Sequence, residues 1–253
     1  MIDLHCHLLP KVDDGSDSVD TTLEMLKIGQ RDGIEKIVAT AHYNEFYNNS
    51  FYKVKSHVEA INSIIKENKI KIEVLPGQEV YLTSNILKCY DSGLVKGLND
   101  SKYMLIELPM ECYPKYAADI IYELKVMGIT TIIAHPERYA YFINDLSNIN
   151  LFIEKNCLFQ INATSILGKS GKHVKRTAFE LLNKGIADFI ASDAHDKSFR
   201  KPQIKDAFNI IREIDSDLEK KLIENPYKVI NNENIDDNRE KIIIKRYLFG
   251  YKI

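Results

Sequence analysis

The sequence predicts an α/β fold: seven strand–helix units closed into a parallel barrel, followed by a helical C-terminal extension. Three observations carry that reading. Apolar, β-branched runs recur at 2–5, 36–41, 72–80, 103–108, 130–134, 158–161 and 187–191, with middles about 26–37 residues apart, as in parallel strands joined through helices. Amphipathic stretches lie between them, and seven such units suit a closed barrel better than an open sheet. Finally, Gly33, Gly93, Gly128 and Gly185 stand just after helical stretches, where a left-handed cap is wanted.

In chain order, the first run ends in His5 and is followed by Cys6 and His7. The stretch 19–31 then brings Leu23, Leu26 and Ile28 near one face of a helix. The second run leads into Ala41-His42-Tyr43, and the stretch 51–66 carries an apolar stripe of Val54, Val58, Ile61 and Ile65. The third run ends at Gln78-Glu79, and the fourth holds Glu107 in Leu-Ile-Glu-Leu-Pro. The fifth runs into His135-Pro136-Glu137-Arg138, the sixth into Gln160-Ile161-Asn162, and the seventh into Ser192-Asp193-Ala194-His195. In a parallel barrel the chemistry gathers at the carboxyl ends of the strands. Nearly every strand here delivers a metal-competent side chain to that rim, and Asp13-Asp14-Gly15 adds more from the first loop.

With 253 residues, 45% hydrophobic and 28% charged, the chain has ample core-forming material and is no disordered or disulfide-scaffold sequence. No linker or low-complexity segment divides it. It reads as one domain over 1–253, with a barrel core at 1–196 and a helical extension at 197–253. Lys+Arg 34 against Asp+Glu 36 leaves a formal charge of −2, so no global basic field points to nucleic acid. No apolar run approaches the ~20 residues of a membrane span. The first residues, from Met1 to His7, hold neither a basic region nor a long apolar stretch, which predicts a cytoplasmic protein. The cysteines Cys6, Cys89, Cys112 and Cys157 form no C-x-x-C pair. Six positions after them stand Val12, Val95, Ala118 and Ala163, so no cysteine-nucleophile phosphatase cradle with its arginine is encoded.

On a strand, residues i and i+2 share a face, so His5 and His7 can aim at one point. Imidazoles and carboxylates crowded on one rim desolvate and repel one another unless cations compensate, and metal ions are the natural compensation. Other ionisable or aromatic residues have plainer explanations. His57 reads as a solvated helix residue, and His173 belongs to a basic helix start, 169–176. Cys6 points to the opposite face from its neighbours and belongs to the core, while Tyr43, Tyr81, Tyr139 and Tyr141 stand near the rim as pocket candidates.

Together MIDLHCHLLPKVDDG, IVATAHYN, LPGQEV, LIELP, IIAHPERY, QINATSILGKSGK and ASDAH resemble the polymerase-and-histidinol-phosphatase (PHP) superfamily. The likeness is greatest to its bacterial manganese-dependent protein-tyrosine phosphatases of capsule and exopolysaccharide operons, and it runs from Met1 to about Arg200. It implies a distorted (β/α)7 barrel with three divalent ions, by family habit Mn, with Fe, Co or Zn also suited to the donors. By that resemblance one ion would take His5, His7, Glu79 and Asp193, with Glu79 bridging to a second. The second would add Glu107 and His135, and a third would take Asp14, His42 and His195. Three divalent cations against four carboxylates leave a net positive site suited to a phosphate dianion. Arg138 matches the family's phosphate-gripping arginine, and Arg200 stands where a second phosphate contact would.

The implied activity is hydrolysis of phosphotyrosine in a protein partner, an autophosphorylating tyrosine kinase of polysaccharide export. The alternatives are a small-molecule phosphatase such as histidinol-phosphate phosphatase, a polymerase-linked exonuclease, or a non-catalytic kinase-docking module. The exonuclease lacks an attached polymerase and a basic surplus, and the full ligand set argues against the docking module. The chain departs from the family pattern at Ala41 and Tyr43, where Pro and a second His are common, and at Tyr81, where Arg is frequent.

Overall fold

The computed structural model describes residues 1–235, together with a short antiparallel pair, Tyr247–Leu248 with Tyr251–Lys252. Seven strands lie side by side in chain order: β1 (Ile2–Cys6), β2 (Lys36–Tyr43), β3 (Glu73–Tyr81), β4 (Tyr103–Glu107), β5 (Thr130–Ala134), β6 (Leu158–Asn162) and β7 (Phe189–Ala191). Each pairs in parallel with the next, as the seven apolar runs predict. β2 extends past the expected end through His42 and Tyr43, because its ladder with β3 continues to Tyr43 and Val80. β7 starts later than expected, at Phe189, where the Asp188 carboxylate takes the Phe159 N–H at 3.0 Å.

The barrel closes between β1 and β7 through a short seam. His7 N donates to the Ala194 carbonyl at 2.8 Å, and Asp193 N to the His5 carbonyl at 2.9 Å. Asp3 reinforces it: its buried carboxylate accepts from Ser192 N at 2.9 Å and Ser192 Oγ at 2.5 Å. Burial dominates those bonds and pushes the Asp3 carboxyl up to about 6.

Around the strands run α1 (Val19–Asp32), α2 (Phe51–Glu67), α3 (Ile86–Asp91), α4 (Ala117–Val126), α5 (Ala140–Asn144), α6 (Asn150–Glu154), α7 (Ala163–Ile166), α8 (Lys172–Asn183), α9 (Lys205–Ile214) and α10 (Ser216–Ile230). Ser18 caps α1 by accepting from Thr21 N at 3.2 Å, and Gly33 ends it at φ 89°. Gly93, Gly128 and Gly185 are likewise left-handed. α2 buries Val54, Val58, Ile61 and Ile65 as expected. The stripe of α1 differs: Leu23 and Ile28 are half-buried, and Thr22, Met25, Leu26 and Gly29 face the core. The i, i+3, i+4, i+7 spacing runs through these four, and the Ile37 and Ile72 side chains pack beside Gly29.

Strand alternation sorts the side chains. Ile37, Ala39, Val74, Met104, Ile133, Phe159 and Ile190 point outward into the large core beneath the helices. Val38, Leu75, Leu105, Ile132, Leu158 and Phe189 fill the interior. Two or four residues further along the same inner faces come His42, Glu79, Glu107, Gln160, Asn162 and Asp193. One periodicity thus lays a dry floor and a polar rim. β1 reaches the same result through a register shift between Asp3 and Cys6, so that Ile2 and Leu4 join the interior cluster while His5 and His7, out of phase with them, turn to the rim. Cys6 is fully buried in the outer core.

The extension is helical through α9 and α10. The Asp32 carboxylate at the end of α1 accepts from Ile204 N and Lys205 N, at 2.6 and 2.9 Å, and so caps α9. α10 sends Val229 and Ile230 into the interior cluster, and Asn225 Nδ2 donates to the Asp188 carbonyl at 3.0 Å. The rest of the expected extension, apart from the antiparallel pair, lies outside the described residues.

Candidate metal centre

All nine sequence-predicted ligands converge at the carboxyl rim. Glu79, from β3, sits at the middle: its carboxylate oxygens lie 3.3 Å from both His5 Nε2 and His7 Nε2, 3.2 Å from His42 Nδ1 and 3.0 Å from His135 Nε2. Asp193, just past β7, lies 3.4 Å from His5 Nε2 and 3.7 Å from His7 Nε2. Glu107 approaches His42 and His135, each at 3.9 Å. Asp14 reaches in from the first loop, 3.5 Å from His42 Nε2 and 3.6 Å from His195 Nε2. Their donor atoms form three overlapping groups: His5, His7 and Asp193; His42, Glu79 and Glu107; His7, Asp14, His42 and His195. These groups differ from the expected partition: Glu79 is absent from the first, His135 belongs to none, His42 joins Glu79 and Glu107, and His7 faces two groups.

Two of the candidate ligands sit in left-handed backbone, His135 at φ 33° and Asp193 at φ 51°. Non-glycine residues enter that region at a cost, which this chain accepts at these two rim positions as well as at several loop residues such as Asn99 and Asn156.

A chain of hydrogen bonds sets which imidazole nitrogens face inward. Asp193 can only accept, so Asn162 must turn its amide nitrogen to it, at 2.7 Å. The Asn162 oxygen then accepts from Gln160 Nε2 at 2.8 Å, and Gln160 Oε1 is left to accept from His5 Nδ1 at 2.8 Å. His5 Nε2 is therefore the nitrogen turned toward the centre, bare whenever the ring is neutral. His7 Nδ1 donates to Asp13 at 2.9 Å, and His195 Nδ1 to the Asp193 carbonyl at 3.0 Å, which bares their Nε2 atoms as well. His5 Nε2 and His7 Nε2 stand 3.1 Å apart, each also facing carboxylate oxygens. Lone pairs set against lone pairs in a dry site call for cations, and mixed imidazole and carboxylate donors suit divalent transition metals. The donor set fits metal ions.

The electrostatics agree. Burial, then the Glu79 charge, push Glu107 up to about 8. Burial also opposes charge on Glu79, but the surrounding histidines outweigh it and hold that carboxyl well below its usual range. Burial, then His7, take His195 down to about 2, so it stays neutral and able to ligate. Asp13 is held down to about 2 by His7 and backbone N–H groups, against its burial.

Arg138 closes a single 3-10 turn after His135, and its Nη1 lies 3.1 Å from Asp193 Oδ2. Arg200 reaches the same oxygen at 2.9 Å. The turn that carries it is built by Asp196, whose carboxylate accepts from the N–H groups of Ser198, Phe199 and Arg200. Of the tyrosine candidates, Tyr43 and Tyr81 line cavities near the rim, but Tyr139 and Tyr141 are buried in the core and line none of these. Tyr139 is held there by its hydroxyl, which accepts from Leu108 N at 2.8 Å. Tyr43 turns away from the ligands and donates to Cys89 Sγ at 3.7 Å, so the departure from a second histidine falls outside the centre. His173 is exposed as expected, whereas His57 is half-buried against the expected solvation. Sequence reasoning placed Asp13, Gln160 and Asn162 at the rim without a specific role for any of them and passed over Asp3. The available signal was a polar residue on the inner face of a barrel strand, which Gln160 and Asn162 both are.

The family model for capsular polysaccharide synthesis, CpsB/CapC, matches residues 1–231. The chain belongs to the CpsB/CapC family. It is 33% identical over 253 residues to the tyrosine-protein phosphatase YwqE of Bacillus subtilis, covering 99% of this chain and 100% of that one. It is 35% identical over 210 residues to the putative tyrosine-protein phosphatase CapC of Staphylococcus aureus, covering 83% and 82%. Among solved structures, a chain from the work on YwqE and pneumococcal CpsB, described as unique metal-dependent tyrosine phosphatases, superposes with TM-score 0.91 at 33% identity, covering 93% of this chain and 96% of that one. These matches bear out the PHP-type resemblance and the seven-stranded α/β barrel. No helix among the described residues is long and apolar enough to cross a membrane.

Proposed function

We infer that this chain is a metal-dependent phosphatase that hydrolyses phosphotyrosine in a protein. The observation that carries the reading is the rim itself, where bare imidazole nitrogens and four carboxylates converge beside two arginines. Relatives over most of the chain are named tyrosine-protein phosphatases, which supports phosphotyrosine over histidinol phosphate. His5, His7, Glu79 and Asp193 would hold one ion. Glu107 and His135 would share a second with Glu79, and Asp14, His42 and His195 would hold a third, Mn best fitting the donors and the family resemblance. Divalent ions held there would supply an acidified water and neutralise phosphoryl charge.

The chain's own residues do the rest. Asn162 and Gln160 fix Asp193 and His5, and Asp13 fixes His7, so the donors are set before substrate arrives. Arg138 and Arg200 present guanidinium forks beside Asp193, placed to clamp non-bridging phosphate oxygens. A phenol leaving group has a pKa of about 10 and departs with little protonation, so no side chain need act as general acid. The family's link to capsular polysaccharide synthesis supports an autophosphorylating tyrosine kinase as the partner. A kinase using ATP would place the phosphatase in the cytoplasm with it.

The test is hydrolysis of p-nitrophenyl phosphate and a phosphotyrosine peptide by purified protein. Turnover is expected only with divalent metal, best with Mn, and is expected to survive thiol alkylation. Full turnover after verified metal removal would overturn the reading.

A further inference from the structure

Beside the centre lies a cavity of about 300 Å3, lined by Arg138, Arg200, Lys169, Ser170, Met110 and Phe199 among others. Two of its three cations are Arg138 and Arg200, the proposed phosphate grip, both paired with the Asp193 carboxylate that also lines the cavity. The third, Lys169, has no part in that grip. Its side chain is exposed, and among the described residues its ammonium makes no ion pair.

Lys169 is held on a built loop. α7 ends in a Schellman motif: Gly168, at φ 79°, donates to the Ser165 carbonyl at 3.1 Å, and Lys169 N donates to the Thr164 carbonyl at 2.9 Å. Gly171, at φ 96°, turns the chain into α8 and donates back to the Gly168 carbonyl at 3.3 Å. Two left-handed glycines thus bracket Lys169 and Ser170 and present both to the cavity. Met110 and the largely exposed Phe199 give it apolar walls, suited to the stem of a side chain with a charged tip.

The other side of the centre has the opposite character. A cavity of about 430 Å3 there is lined by Asp14, Glu45, Glu107, Phe46, Tyr47 and Tyr81 and has no lysine or arginine in its lining. The mouth is therefore polarised, cationic on the α7–α8 side and acidic and aromatic on the other.

We propose that the cationic cavity is a second anion subsite, in which Lys169 and the Ser170 hydroxyl bind a carboxylate or phosphate that the substrate carries next to the phosphotyrosine being hydrolysed. The subsite rests on the phosphatase reading and adds a preference to it: an anionic neighbour is drawn to the Lys169 side and away from Glu45, the carboxylate of the other lining that is not among the nine candidate ligands.

Three phosphotyrosine peptides of equal length test it with the Mn-loaded full chain: one with neutral neighbours, one with flanking glutamates, one with a second phosphotyrosine. In the wild type, kcat/KM for the glutamate peptide is expected to exceed the neutral one by about 3- to 5-fold, the scale of an exposed ion pair, with the doubly phosphorylated peptide at or above that. Lys169→Ala should bring these ratios to about 1 and Lys169→Glu should take them below it, while added salt shrinks the wild-type ratios. A preference for only one anionic peptide also supports the subsite and names its source, carboxylate or phosphate. Wild-type ratios of 1, or ratios that Lys169→Glu leaves intact, would overturn the subsite while hydrolysis of p-nitrophenyl phosphate and the neutral peptide keeps the phosphatase reading standing. If none of these phosphates is hydrolysed, that reading fails and the subsite with it.

Discussion

Gln160 and Asn162 satisfy their neighbours in one orientation only, because the relay that starts at the acceptor-only carboxylate of Asp193 ends at His5 Nδ1. Gln160→Leu removes the acceptor for that N–H and leaves His5 free to present the wrong nitrogen to an ion. Loss of such an outer partner typically costs 10- to 100-fold in metal affinity, and we expect a loss of about that size in Mn titration by calorimetry. Unchanged affinity would mean that the relay is idle. The role proposed for Arg138 is different, toward substrate and not metal. Its removal in Arg138→Ala should cost roughly 1.5–3 kcal/mol, or about 10- to 150-fold in kcat/KM on a phosphotyrosine peptide, with metal content unaltered. Arg138→Lys should recover only part, since a point charge cannot reproduce the fork. An intact kcat/KM in the alanine variant would make Arg138 a structural partner of Asp193. That the nine candidate ligands would share one rim was legible in the chain, because His, Asp and Glu at strand ends have few other reasons to gather. Gln160 and Asn162 were not, since an amide shows its purpose only once its partners are known. The left-handed φ of His135 and Asp193 leaves no trace in residue type.

Among the elements, the seven strands could be read from apolar runs because each buries an outer face under helices and an inner face in the barrel. The register shift in β1 could not. Ile2, Leu4, His5 and His7 all reach the barrel side although strict alternation would divide them, and only pairing with β2 reveals the slip. The stripe of α1 was misplaced for a related reason: Thr22 and Gly29 pack as core there although neither is strongly apolar. The terminal helices pose the sharpest question at this scale. We read them as part of one domain with the barrel, because α10 closes the floor with Val229 and Ile230 while Asp32 anchors the start of α9. A chain ending at residue 196 would expose that floor to water, at about 25 cal/mol for each Å2 of apolar surface uncovered. It is expected to lose its cooperative thermal transition in circular dichroism. A truncated chain that melts as sharply as the full one would show that the barrel is complete without them.

At the scale of the whole molecule, the barrel spends stability on its rim. A folded protein holds only about 5–15 kcal/mol in reserve, and buried like charges draw on it. Stripping the ions sets the ligands against one another, and their shifts then make stability depend on pH. Glu107 is raised from 4.5 to about 8, by burial first and the Glu79 charge second, so its contribution is full below about 4.5 and is lost as pH rises through 8. His5 and His7 are raised as well; burial opposes this, but Glu79 and Asp193 around His5, and Asp13 and Glu79 around His7, prevail. Their contributions likewise fade as pH climbs above the ordinary histidine value. His42, His135 and His195 are lowered, chiefly by burial, so they favour the fold above their unfolded value and penalise it only on the acid side. Above the ordinary histidine value of 6.5 the lowered histidines soon finish adding stability, and up to about 8 the loss from Glu107, His5 and His7 prevails, toward a weaker metal-free fold. Bound cations cancel the repulsion and compete less with protons as pH rises. The melting temperature of chelator-treated protein is therefore expected to fall across that window, while the Mn-loaded protein holds or gains and the gap between the two widens. Scanning calorimetry at several pH values reads this directly. A gap that narrows toward alkaline pH would mean that the rim's charges are compensated from within the chain, and the case for a cation-dependent centre would lose its electrostatic footing.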